Sequence, residues 1–231
     1  MVTEYDLVQL CALCRDRLAA QGFEVEQCVD FDRVGAVLDG LEKPYRTRHL
    51  SPEFHDFTRT ASFWVFLKRN DAYVGCVGVR YDDIGEEPIH RWWERQAGRL
   101  YGAPSGESSV LIKGPQPRFL DEVKGGLVYV GDLFMLTDGT LTRRLDLRAF
   151  MFLVYSLAYI RWDVDWIYSF IKDKHVRRGY AAIYAASHQF PGVQRWREEP
   201  AERDSSEWFT CSSAEDFRYL IAHYVAHSDD F

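Results

Sequence analysis

The chain has 231 residues, 47% of them hydrophobic and 27% charged, and a net charge of −7. That balance describes a globular chain with a real core and excludes general nucleic-acid binding, which needs a basic face to release counterions. No stretch of about 18 apolar residues occurs, so no membrane span is expected.

The N-terminus, MVTEYDLVQL, is acidic early and lacks a basic-then-apolar leader pattern. The five cysteines, Cys11, Cys14, Cys28, Cys76 and Cys211, are odd in number and follow no framework spacing. Reduced thiols and a cytoplasmic location are expected.

Residues 4–21 read as an amphipathic helix stopped at Gln21-Gly22. Cys11 and Cys14 form a CxxC there. With Leu7, Leu10 and Leu18 they sit at helical spacing, which reads as a buried face; a redox or metal half-site is the alternative. Residues 23–29 alternate as a strand, and 30–41 form a second helix. The polar stretch 43–60 carries basic residues around Arg46 to His49.

Residues 63–67 (FWVFL) and 73–80 read as a β-hairpin turning at 68–72. The segment 84–125 is irregular, with a short helix at 89–100 bearing Trp92 and Trp93, then a Gly/Pro/Ser stretch. A loop of that length is usually functional or mobile. The strand 127–136 (LVYVGDLFML) and a turn at Asp138-Gly139 lead to a helix at 145–162, apolar nearly all round and so packed on more than one side. A strand at 166–171, a helix at 176–190, closing strands at 193–197 and 207–211 and a helix at 214–226 complete the chain. The expected architecture is one α/β domain over 1–231, a mixed sheet flanked by helices on both faces, with an insertion at 84–125.

This order resembles the GNAT acyltransferase family. The resemblance rests on FWVFLKRNDAYVGCVGVRY, on LVYVGDLFML with its helix, on WIYSF, and on the run Arg178-Gly179-Tyr180-Ala181-Ala182-Ile183-Tyr184, with Phe190 near the family's terminal Gly-Phe. It covers roughly 20–82 and 126–211. It implies a mostly antiparallel sheet in which two parallel neighbours splay apart around acyl-CoA or acetyl-CoA. The implied chemistry is amine attack on a thioester, which needs a base, an oxyanion donor and an acid for the leaving thiolate. The resemblance makes Tyr184 the acid, with Tyr180 as the alternative, and places the donor against the backbone at Leu133 and Met135.

Asp132 is the base candidate, because a carboxylate in an apolar strand is costly to bury unless paired, and burial raises its pKa. The family's Gly-rich pyrophosphate run is replaced here by 136–145 (LTDGTLTRRL), with one glycine. An anion would then be held by Thr142, Arg143 and Arg144 and the helix dipole.

Phe54 and His55 lie where the resembled fold lines its acceptor side; with Trp92 and Trp93 they make either a lid or a satellite core. His223 and His227 lie one helical turn apart without a metal-site motif, so no metal is expected. Lys172, Lys174, His175, Arg177 and Arg178 form the densest basic cluster, after the strand 166–171. The readings are an N-acyltransferase acting on a small-molecule or protein amine, a non-catalytic GNAT-like binding or regulatory protein that forms homodimers through its aromatic surface, or a transferase using a non-CoA acyl donor.

Overall fold

The computed structural model describes residues 2–55, 61–102, 110–136 and 145–228. Helix α1 (Glu4–Ala20) opens on a capping box. The Thr3 hydroxyl accepts from the Asp6 N–H, and the Asp6 carboxylate accepts from the Thr3 N–H at 2.7 Å. Leu10, Cys14 and Leu18 are its buried stripe. Burial pushes the Cys14 thiol up, so this cysteine packs as a small hydrophobe.

Among the described residues seven strands follow in one sheet: β1 (Glu24–Cys28), β2 (Ser62–Arg69), β3 (Ala72–Asp83), β4 (Gly126–Met135), β5 (Trp166–Ile171), β6 (His188–Pro191) and β7 (Trp208–Ser213). Their order is β1-β2-β3-β4-β5-β7-β6. Among these strands β4 and β5 are parallel, and every other neighbouring pair is antiparallel. The β2–β3 hairpin turns on Asn70 and Asp71, both left-handed (φ 50° and 61°). Asn and Asp tolerate that region, and two positive φ values suit a tight hairpin turn.

Both faces of the sheet are covered, which explains its near-continuous apolar runs. Phe63, Val65 and Leu67 of β2 and Val128 and Val130 of β4 meet one core with α1, α4 (Leu147–Arg161) and α7 (Ala214–Ala226). Trp64, Phe66, Leu127 and Tyr129 meet the other, with α2 (Phe31–Gly40) and α3 (Ile89–Tyr101). Every residue from Ala149 to Ser156 of α4 is buried, the packing that its all-round apolar sequence demands.

Three expectations need correction. The helix expected at 176–190 is two single turns, α5 (Asp173–Val176) and α6 (Tyr180–Ile183). Left-handed Gly179 (φ 85°) separates them and left-handed Ala185 (φ 53°) ends the second. Phe190 therefore lies in β6, paired with Phe209, and not at a helix end. The stretch 193–197 is no strand; it contributes one isolated bridge, Trp196 to Leu111, and β6 takes its place beside β7.

Candidate active site

The β4–β5 ladder has three pairs: Leu127 with Trp166, Val128 with Ile167, and Tyr129 with Tyr168. Beyond them the strands part. Gly131, Phe134 and Met135 pair outward with β3, and Ser169, Phe170 and Ile171 pair outward with β7. Burial changes at the same point: Gly126–Val130 are buried and Gly131–Met135 are half-exposed. The sheet thus opens into a V with Tyr129 and Tyr168 at its base, their rings 5.3 Å apart.

A bulge shapes the β4 arm. Between the Gly78–Gly131 and Cys76–Phe134 pairs, β3 has one residue and β4 has two, Asp132 and Leu133. Asp132 is left-handed (φ 57°), which an aspartate tolerates better than the β-branched residues around it would. The bulge aims its carboxylate at the loop after α2. Lys43 Nζ stands 3.1 Å from Oδ1, and the Thr47 N–H donates to Oδ1 and Oδ2 at 3.2 and 3.0 Å. The Asp132 side chain is fully shut off from water. Burial raises its pKa, while Lys43 and the Thr47 N–H oppose that. A carboxylate so fully engaged is fitted to hold the loop.

The β5 arm carries an ion pair that sequence reasoning missed. Arg203 lies 4.3 Å over the Phe170 ring. Its Nε stands 2.9 Å from Glu207 Oε2 and its Nη2 donates to Gln194 Oε1 at 2.9 Å. Arg203 and Glu207 are both buried. The Nε–Oε2 contact is one of charge without hydrogen-bond alignment, so among the described residues Oε2 has no donor. Burial, against the opposing pull of Arg203, raises the Glu207 carboxyl to about 7. The available signal was an Arg and a Glu four residues apart, just before an apolar strand.

Aromatic groups close the space between the arms. The His49 ring lies 5.2 Å from Tyr129 and 6.0 Å from Tyr101, and Tyr101 meets Trp196 edge-on at 5.0 Å. Burial pushes the Tyr129 phenol up to about 12. A Cβ built on Gly131 would come within 2.5 Å of the Tyr129 hydroxyl, so that side chain rises along β4 into the V.

On the opposite, helix-covered face, Tyr184 is buried in the core, and burial beside Tyr180 and Tyr129 raises its phenol. Tyr180 is half-buried and lies 5.1 Å from the His175 ring. Leu133, within the bulge, and Met135, beyond it, pack on that same face. Ala182 and Ala185, either side of Tyr184, line a recess of about 540 Å3 between α4, α6 and α7.

Trp92 and Trp93 are 4% and 2% exposed. Trp93 packs on Tyr168, Phe170 and Phe209, and Trp92 lies 5.6 Å under the Arg80 guanidinium; both form core. Arg80 donates to the His49 carbonyl at 2.6 Å and meets His55 Nε2 at 2.9 Å, while Arg99 meets His55 Nδ1 at 2.8 Å and donates to the Phe54 carbonyl at 3.0 Å. Burial and these two cations push His55 down to about 3. A surface cleft of about 470 Å3 includes Lys43, Arg48, Phe54 and Glu202.

Lys172 and Arg177 of the basic cluster pair with Asp204 and Asp173. The His223 and His227 rings are 5.2 Å apart. Thr142, Arg143 and Arg144 lie outside the described residues, as do Asp138 and Gly139.

No protein-family model matches the chain, and no curated protein matches it in sequence. Solved structures overlap it loosely. FeeM, an N-acyl amino acid synthase from uncultured soil microbes, is 13% identical over 87% of this chain and 97% of its own, with a TM-score of 0.46. Arabidopsis thaliana NAA60 in complex with acetyl-CoA is 11% identical over 84% and 99%, with a TM-score of 0.46. An agmatine N-acetyltransferase mutant is 11% identical over 83% and 99%, with a TM-score of 0.49. The GNAT-like character of the fold stands on the sheet itself: mostly antiparallel, helices on both faces, and one parallel pair that splays. Among the described residues no helix is long and apolar enough to cross a membrane.

Proposed function

We propose that this protein is an N-acyltransferase that moves an acyl group from a CoA-type thioester to an amine inside the β4–β5 gap. The observation that carries this reading is the end of the parallel ladder at Tyr129 and Tyr168, beyond which β4 residues Gly131–Met135 are half-exposed and unpaired with β5. Backbone N–H groups freed from strand pairing are preorganised donors for a carbonyl oxygen that gains charge.

In this reading the donor lies along Leu133 and Met135, with its phosphates at Thr142, Arg143 and Arg144. The amine nitrogen attacks the thioester carbonyl, the C–N bond forms and the C–S bond breaks. Tyr184, or Tyr180 beside it, gives the departing sulfur its proton. Asp132 shapes the site by tying β4 to Thr47.

The test is thiol release from a panel of acyl-CoA thioesters with primary amines, read beside thermal midpoints. A donor at about 100 times its Kd stabilises by about 2.7 kcal/mol. A panel that neither releases thiol nor shifts the midpoint overturns the proposal.

A further inference from the structure

We infer that Glu207 is the catalytic base of this site, taking the proton that the acceptor amine loses as it attacks the thioester. The inference rests on the acyl-transfer reading above, and its geometry is independent of the family's motifs.

Glu207 immediately precedes β7, and its side chain shares a face with Phe209, since Trp208 intervenes. That is the face of Tyr129 and Phe170. Its partner Arg203 is stacked on Phe170, which belongs to the part of β5 that has left β4. The pair therefore flanks the gap opposite Asp132. The two buried carboxylates differ in what remains free. Asp132 accepts at both oxygens, each from the Thr47 N–H, whereas among the described residues Glu207 Oε2 has no aligned donor and keeps both lone pairs undonated.

The groups around Glu207 set when it can do so. Arg203 and Lys172 favour its ionised form, and Asp204 and Glu199 disfavour it. Tyr129 faces it from β4. The outcome is a carboxyl poised about 7, close to the operating range that a base for an amine needs. The step balances. The attacking nitrogen passes one proton to the Glu207 carboxylate, the C–N bond replaces the C–S bond, and the thiolate collects a proton from the acid on the other side of the gap. Glu207 then returns its proton to water, and the acid regains one from water.

The experiment is a pH profile of kcat/KM for wild type, Glu207→Gln and Glu207→Asp. It uses acetyl-CoA and alkylamines, whose own ionisation lies above about pH 9. Wild type is expected to rise through a limb near pH 7. Glu207→Gln should lose that limb and roughly 10²- to 10⁴-fold in rate. Glu207→Asp should keep the limb at reduced rate, which a merely structural glutamate would not require. Thermal midpoints verify that each variant folds, and wild type alone decides if neither does. A wild-type profile without a limb between about pH 6 and 8 overturns the inference. So does a folded Glu207→Gln that keeps rate and limb, although acyl transfer itself then stands. No thiol release by wild type removes the acyl-transfer reading and this inference together.

Discussion

The Lys43 ammonium stands 3.1 Å from the Asp132 carboxylate, with 5% of the lysine side chain and none of the aspartate open to water. Two charges this deep tolerate loss of one partner badly, because the survivor stays buried without compensation. Lys43→Met should therefore cost about 3–5 kcal/mol in urea unfolding. Asp132→Asn should cost less, since Lys43 also lines the surface cleft and can turn its ammonium to water. The double variant should lose less than the sum of the singles, as contacting partners do. Strict additivity would show that the pair does not couple.

Gly131→Ala should destabilise by about 1–3 kcal/mol, the usual cost of overpacking. The new methyl would meet Tyr129 Oη at 2.5 Å and ring carbons at 2.7 Å, and Tyr129 is 2% exposed. Tyr129→Phe in the same chain should recover little, because the ring carbons remain. Full recovery would show that the hydroxyl alone is crowded.

Trp93→Ala should cost about 3–5 kcal/mol, as a large core truncation does. A tryptophan serving as a lid over a substrate would leave the unfolding midpoint unchanged and alter KM instead. Chemical denaturation separates the two outcomes.

His55 carries a pH signature. Its folded-state value is about 3, below the ordinary 6.5, so the unfolded chain binds the proton more readily. Stability contributed at neutral pH should fall as pH drops from about 6.5 towards 3, by at most about 1.4 kcal/mol per unit. Glu207, raised to about 7, works in the opposite sense: its contribution falls as pH rises from about 4.5 to 7. Comparing His55→Gln with wild type across this range isolates the histidine. Parallel pH curves for the two proteins would refute the assignment.

The hairpin, β4, α4, β5 and α7 were legible because each carries its own periodicity and end signals. The fate of 176–190 was not. Gly179, whose positive φ splits the helix, was visible in the sequence, but the second break, positive φ at Ala185, is a conformation that alanine gives no hint of, and the strand that follows pairs with the edge of β7. Asp132 stood out as a lone charge in an apolar strand, and the bulge that accommodates it is a property of two strands together. Glu207 was placed only at the start of a closing strand and Arg203 in no element, since the burial of the pair depends on Phe170 and Trp196 arriving from elsewhere in the chain. Tyr184 was visible only through the resemblance.

Asp132 is also the one residue of its strand that the pleat does not need. Tyr129 and Gly131 face one side and Val130 the other; Leu133 and Met135 then continue the second side and Phe134 the first. Striking out Asp132 leaves that alternation intact from Leu127 to Met135. A chain one residue shorter could run flush against its neighbour with every core side chain facing as before. The contact between β4 and the loop at Thr47 thus hangs on the one residue that the alternation of the strand can spare.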